Sequence, residues 1–178
     1  FDALLLELLN ALPQKNDDAI LGAVVDVFEA NGIRIMKQTD YLRKSLVKPG
    51  NLIGELTAAE YQDVKLGFRM AKASGELDIG QTVVVKNGVV LAVEAIEGTD
   101  RAIIRGGELG GPGSVVVKVS KPKQDERFDV PTVGKGTLES MIQVKATVLA
   151  VEAEKTLLTE EEFVLELAER NGIKIVAV

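Results

Sequence analysis

Gln81-Thr82-Val83-Val84-Val85-Lys86-Asn87-Gly88-Val89-Val90-Leu91-Ala92-Val93 is the stretch that decides the fold class. Two β-branched runs flank Asn87-Gly88, and Asn-Gly between apolar runs is the strongest short hairpin signal, because both residues accept the positive φ of a type I′ turn. Downstream, Ser114 to Val119, Thr147 to Ala153 and Ile173 to Val178 read as further strands, and Phe128 to Val133 as an extended segment around Pro131. Helical patterns lie between them. One starts at Thr99 or Asp100 and runs through Arg105, one is capped by Thr137 and reaches about Val144, and one spans Glu160 to Arg170. Gly106 to Gly113 reads as a flexible loop.

Upstream of the hairpin the chain reads as mainly helical. Leu4, Leu5, Leu8, Leu9 and Leu12 recur at helical spacing before Pro13. Asn16 or Asp17 can cap a second helix with Ile20, Val24, Val27 and Phe28 on its apolar face, ending at Asn31-Gly32. Ile33 to Met36 alternates like a strand. Thr39 or Asp40 caps a short helix through Leu46, and Lys48-Pro49-Gly50-Asn51 is a loop. Thr57-Ala58-Ala59-Glu60 has the capping-box form and opens a helix to about Ala73. The expectation is an α/β protein: a mixed sheet with flanking helices, preceded by a helical segment. It divides into a helical linker over 1–77 and a C-terminal α/β domain over 78–178. The chain opens at Phe1 inside an amphipathic pattern, which predicts that a further segment precedes it.

One echo invites a repeat reading: Glu29-Ala30-Asn31-Gly32-Ile33-Arg34-Ile35 against Glu169-Arg170-Asn171-Gly172-Ile173-Lys174-Ile175. Any helix that ends before a buried strand tends to look like this, so the reading here is two similar helix ends rather than a duplication.

Composition narrows the chemistry. With 27 acidic against 21 basic residues and a net charge of −6, the chain lacks the basic footprint of a nucleic-acid binder. It has no cysteine and no histidine. Thiol nucleophiles, Ser-His-Asp arrangements and His-ligated zinc are therefore excluded, and hydrolytic chemistry would have to use carboxylates, lysine or an oxygen-ligated cation. No run of about 18 apolar residues marks a membrane-spanning helix.

Two constellations can carry such chemistry. Glu94-Ala95-Ile96-Glu97-Gly98-Thr99-Asp100 passes from a strand through glycine to a helix N-terminus, where free N–H groups and the helix dipole favour phosphate. Asp100 there either caps the helix or ligates a divalent cation between phosphates. From Lys118 to Asp129, four cations and three carboxylates interleave within twelve residues, broken by Pro122. That mixture suits Mg²⁺ plus phosphates and equally suits a solvated, self-paired charged loop. The run Gly106-Gly107-Glu108-Leu109-Gly110-Gly111-Pro112-Gly113 matches neither the dinucleotide fingerprint nor the Walker motif.

Taken in order, Asp78-Ile79-Gly80-Gln81-Thr82-Val83-Val84-Val85, Val93-Glu94-Ala95-Ile96-Glu97-Gly98-Thr99-Asp100 and Lys121-Pro122-Lys123-Gln124-Asp125-Glu126-Arg127-Phe128-Asp129-Val130-Pro131-Thr132-Val133-Gly134 resemble the successive motifs of the LpxI family. The likeness extends upstream to Asp17-Asp18-Ala19-Ile20-Leu21 and to Phe28-Glu29-Ala30-Asn31-Gly32-Ile33. The resemblance implies a Mg²⁺-dependent hydrolase that cleaves UDP-2,3-diacylglucosamine to UMP and 2,3-diacylglucosamine 1-phosphate (lipid X), in the cytoplasm and peripheral to the inner membrane. It implies Asp125 as the first catalytic carboxylate, with Asp100 and Asp129 next, and Asp125 and Asp100 as metal ligands. Gln81, Glu97, Thr99, Lys118, Lys121, Gln124, Arg127 and Thr132 would line the substrate and phosphate site. Family members carry an additional N-terminal α/β domain, with the lipid product held between the two. A non-catalytic lipid- or nucleotide-binding homologue, or a fragment that pairs with another copy as a homo-oligomer, are the competing readings.

Overall fold

The structure, a computed structural model, describes residues 3–13 and 17–178. Two helices lead, α1 (Ala3–Ala11) and α2 (Asp17–Ala30). A short helix α3 (Gln38–Leu42) and a 3₁₀ turn (Arg43–Ser45) follow, then β1 (Gly50–Ile53) and α4 (Ala58–Glu76). The remainder alternates: β2 (Thr82–Lys86), β3 (Val89–Val93), α5 (Thr99–Gly110), β4 (Val115–Lys118), β5 (Thr132–Val133), α6 (Lys135–Val144), β6 (Val148–Val151), β7 (Leu157–Leu158), α7 (Glu161–Arg170) and β8 (Lys174–Ala177). Six strands form one mixed sheet in the order β1-β8-β6-β4-β2-β3, and β5 pairs with β7 in a separate two-stranded ribbon. The α/β class with a mixed sheet, flanking helices and a helical lead is what the sequence predicts.

The hairpin forms as read. Asn87 and Gly88 both have positive φ, 51° and 76°, and their N–H groups donate to the carboxylate of the buried Asp63 on α4 at 2.8 and 2.7 Å. The central strands are valine runs because both faces are covered, which removes any polar side to alternate with. Val83, Val85, Val115 and Val117 pack under α4 with Val64 and Ala71. Val84, Val116, Leu149 and Ile175 face the other way, into the layer that holds Ile103 of α5, Leu138 and Met141 of α6 and Val164 of α7.

Several expectations are corrected. Gly106 to Gly113 is not a loop up to Gly110, because α5 continues through it. Glycine is used there for close approach. A Cβ at Gly106 would lie 2.6 Å from Val84 Cβ, one at Gly107 2.3 Å from Val144 Cβ, and one at Gly110 2.2 Å from Leu91 Cδ1. Ile33 to Met36 is no strand. Ile33 and Ile173 carry the same helix-ending hydrogen bonds, Ile33 N to Phe28 O and Ile173 N to Ala168 O. Yet Ile33 is 51% exposed while Ile173 is 1% exposed and leads into β8, so the shared sequence encodes the helix end and not the strand beyond it.

Gly50 and Asn51, read as loop, begin the edge strand β1, antiparallel to β8. Residues 50–76, which the sequence reading sets with the linker, thus supply an edge strand and a covering helix of the main sheet. Thr137 lies inside α6 and is buried, and the N-cap is Gly134. The N-cap of α3 is Lys37, ahead of Thr39 and Asp40. The cap expected at Asn16 or Asp17 rests on side chains outside the described residues. The Thr57–Glu60 capping box is present in both directions.

Candidate active site

Four strands deliver polar residues to the same end of the sheet. Thr82 opens β2 opposite Lys118, the last residue of β4. Lys118 in turn pairs with Val151, the last residue of β6, which Glu152 follows directly. Glu94 comes directly after β3, and its N–H donates to Thr82 O at 2.8 Å. Crevices outside strand ends are where α/β sheets place their ligand sites.

Lys118 is the centre of this end. It is only 8% exposed, and its Nζ donates to Thr132 O at 2.9 Å and to Thr99 Oγ1 at 3.2 Å. Among the described residues it makes no ion pair. Burial pushes its pKa below the ordinary lysine value, while the charges of Glu94, Asp100 and Asp129 pull it back up. The Thr99 hydroxyl donates to Glu94 Oε1 at 2.9 Å, and the other oxygen, Glu94 Oε2, accepts from Gln81 N at 3.2 Å. Thr99 thus links a buried cation to a buried carboxylate at the start of α5. The N-cap of α5 is Gly98 with φ 82° and no side-chain cap bond, so Asp100 does not cap the helix and its carboxylate is left for the cleft.

A cleft of about 460 Å³ is lined by Glu97, Gly98, Thr99, Asp100, Arg101, Lys118, Thr132 and Thr137. A second, of about 730 Å³, shares Gly98 and combines apolar Ile20, Leu21, Ile79, Ile96 and Phe128 with Asp78, Gln81, Glu94, Lys121 and Asp129. One compartment is small and polar, and its neighbour is larger and amphipathic.

The charged loop beyond β4 is partly self-paired. Lys121 Nζ contacts Asp78 at 2.6 Å. Gln124 Oε1 accepts from Lys121 N at 2.9 Å and from Ser120 Oγ at 3.0 Å, and its amide nitrogen donates to Asp129. Asp125 is clasped by Arg127, whose Nη2 lies 2.7 Å from Asp125 Oδ2 and whose Nη1 reaches Glu29 at 2.9 Å. That guanidinium holds the Asp125 carboxyl below its usual range, and the carboxylate in turn raises Arg127. Glu97 is held by Arg105, which lowers its pKa.

Of the expected residues, Thr99, Asp100, Glu97, Lys118 and Thr132 line the smaller cleft, and Gln81, Lys121 and Asp129 the larger. Gln124 braces Asp129. Asp125 and Arg127 are absent from the described linings of both clefts, so neither cleft sets Asp125 beside Asp100. Sequence patterns do not single out Glu94, Asp78 or Glu152 as site residues. Glu94 ends an apolar strand within a quoted motif, and only strand register shows that it faces Gln81.

Among the described residues no group of three or more carboxylates forms a ready-made cage. Mg²⁺ is commonly held by one or two carboxylates together with substrate phosphate oxygens, and Asp100 and Asp129 are hard oxygen donors of that kind around Lys118.

The LpxI C-terminal domain matches residues 48–176 and the LpxI N-terminal domain matches residues 1–45. The UDP-2,3-diacylglucosamine pyrophosphatase LpxI of Caulobacter vibrioides is 33% identical over 174 residues, which cover 93% of this chain and 62% of that relative. The chain therefore spans less than two thirds of the length of the relative it matches. None of the described helices is long and apolar enough to cross a membrane.

Proposed function

Because this chain belongs to the LpxI family, we propose that it hydrolyses the pyrophosphate of UDP-2,3-diacylglucosamine, releasing UMP and 2,3-diacylglucosamine 1-phosphate, in lipid A biosynthesis. The observation that supports this most is the adjacency of the two clefts. A polar compartment around a buried lysine and a helix N-terminus adjoins an amphipathic one, which suits a substrate whose pyrophosphate is joined directly to an acylated sugar.

Water attacks the sugar-side phosphorus, the bond to the bridging oxygen breaks, and UMP leaves with that oxygen. Lys118 and the N–H groups at the start of α5 stabilise the phosphoryl oxygens as charge builds on them. Lys121 and Arg127 neutralise outer phosphate oxygens, Arg127 by exchanging one oxyanion partner, Asp125, for another. Asp129 orients the attacking water, Asp125 holds the Arg127 guanidinium until phosphate takes its place, and Glu94 fixes Thr99 so that its hydroxyl stays oriented beside Lys118. Asp100 and Asp129 would hold Mg²⁺, which would supply Lewis-acid stabilisation of the phosphoryl oxygens. The apolar side chains of the larger cleft take the acyl portion at the inner face of the membrane where this substrate partitions.

The test is UMP release from UDP-2,3-diacylglucosamine by the purified protein, with Mg²⁺ and with a chelator, for wild type, Asp125→Ala and Asp129→Ala. Mg²⁺-dependent release that drops in both variants is expected. No release by the wild type sinks the activity, and unchanged turnover in a variant removes that aspartate from the site.

A further inference from the structure

Two residues outside both described cleft linings take hold of the strand-to-loop junction from behind. Lys72, near the C-terminal end of α4, donates to Ser120 O at 2.7 Å and to Glu152 Oε1 and Oε2 at 3.2 and 3.0 Å. Glu152, directly after β6, accepts the Ser120 N–H through Oε2 at 2.9 Å. Both backbone groups of Ser120 are therefore bound by one ion pair, whose carboxylate side chain is 12% exposed. The backbone N–H of Glu152 also donates to Lys118 O at 3.2 Å. The pair thus fixes the chain on both sides of Val119, between the buried lysine and the charged loop.

From Ser120 the connection continues by side chains. Its hydroxyl donates to Gln124 Oε1 at 3.0 Å, the same oxygen accepts Lys121 N at 2.9 Å, and the Gln124 amide nitrogen donates to Asp129. With its oxygen occupied by two donors, Gln124 has one amide orientation available, and that orientation presents N–H to Asp129. A backbone pinned at Ser120 therefore sets the position of a carboxylate nine residues on, in a loop that has no regular hydrogen-bond ladder of its own.

We propose that Lys72 and Glu152 are positioning residues: as a half-buried ion pair they hold Ser120, and through Ser120 and Gln124 they set Asp129 in the cleft. This rests on the hydrolase reading for its kinetic consequence, and its structural content stands without it. An ion pair partly withdrawn from water is weak evidence of stabilisation, since its desolvation offsets much of its attraction. Its value here lies in geometry. Misplacing a reacting group by about 1 Å costs on the order of 10²-fold in rate.

The experiment uses Glu152→Gln and the milder Lys72→Arg, each alone and with Gln124→Ala, in the full chain. Glu152→Gln should lower kcat by about 10²-fold with KM moved only a few-fold, and Lys72→Arg should lower it less. In the Gln124→Ala background the Glu152 change should add little, because both act on the same carboxylate. In parallel, NMR of the Gln124 side-chain amide and the Asp129 carboxyl in ligand-free protein should show both signals displaced by Glu152→Gln. Fully additive kinetic effects, a kcat within twofold of wild type, or unmoved Gln124 and Asp129 signals would overturn the proposal. An inactive wild type with displaced signals would defeat the hydrolase reading and leave the positioning role supported.

Discussion

Gly106→Ala tests whether the glycine tail of α5 is there for contact. On the ideal backbone the new methyl would stand 2.6 Å from Val84 Cβ and 2.8 Å from each Val84 methyl. Ordinary carbon contacts lie at about 3.5–4.0 Å, so three atoms are about 1 Å too near. Val84 cannot turn aside. It is fully buried in β2, between β4 and β3, and a β-branched side chain has little χ1 freedom. The helix must therefore lift from the sheet. Overpacking costs about 1–3 kcal/mol, and a three-atom clash against a fixed strand belongs at the upper end. Replacing helical glycine by alanine returns about 1 kcal/mol, which leaves a net loss of about 2 kcal/mol. With a urea m-value of about 2 kcal/mol/M the unfolding midpoint should drop by about 1 M. Gly22→Ala in α2, where nothing lies within 4 Å of the added carbon, should leave the midpoint unchanged or raise it. A Gly106→Ala protein as stable as wild type would refute the close-approach argument. Because Thr99 and Asp100 ride on the first turn of the same helix, turnover should fall along with stability.

Three other outcomes are expected. Lys118→Met should keep the fold, since the replacement fills the same volume without charge, and should cut UMP release by about 10²–10³-fold; a loss under threefold would remove Lys118 from phosphate stabilisation. Asp63→Ala deprives two hairpin N–H groups of a charged acceptor and should cost about 2 kcal/mol by thermal unfolding, and an unchanged midpoint would contradict that role. Asp125 has a folded pKa below its unfolded value because of Arg127, so it binds its proton less readily when folded. Its stabilisation is complete above about pH 4 and is lost as pH falls through the folded value. The stability gap between wild type and Asp125→Asn should accordingly close in acid, and a gap that stays constant down to about pH 2 would contradict the pairing.

How much of the fold is legible in the sequence depends on how local each signal is. The Asn87-Gly88 turn and the Thr57–Glu60 capping box are complete within four residues, and both form. The valine strands are visible because covering both faces of the sheet leaves no polar alternation. β1 is hidden because its pairing partner, β8, lies at the other end of the chain. Glycine's poor standing in isolated helices conceals the last turns of α5, although Gly106 and Gly110, four residues apart, share the helical face that meets the sheet and that spacing is a usable signal. At the site, Thr99, Asp100 and Lys118 can be named from motif and composition. The embrace of Asp125 by Arg127 cannot be told from a metal-binding arrangement, since the same alternation of charges encodes both. Glu94 and Glu152 need strand register to be seen at all.

The main sheet also separates two kinds of sequence freedom. At one end lie Lys118, Thr99, Glu94 and the charged loop. At the other, Lys86 Nζ closes on Gly110 O and Pro112 O at 2.6 and 2.9 Å, and Asp63 fastens the hairpin tip. Strands of four or five residues hold these ends only about 15 Å apart. A library that randomises the tip beyond Asp63 and Lys86 would sample folding robustness while leaving the clefts intact, and one confined to Ile79, Ile96 and Phe128 would sample ligand preference at little risk to the core. In directed evolution the two searches could be run in separate rounds and their winners combined by simple recombination.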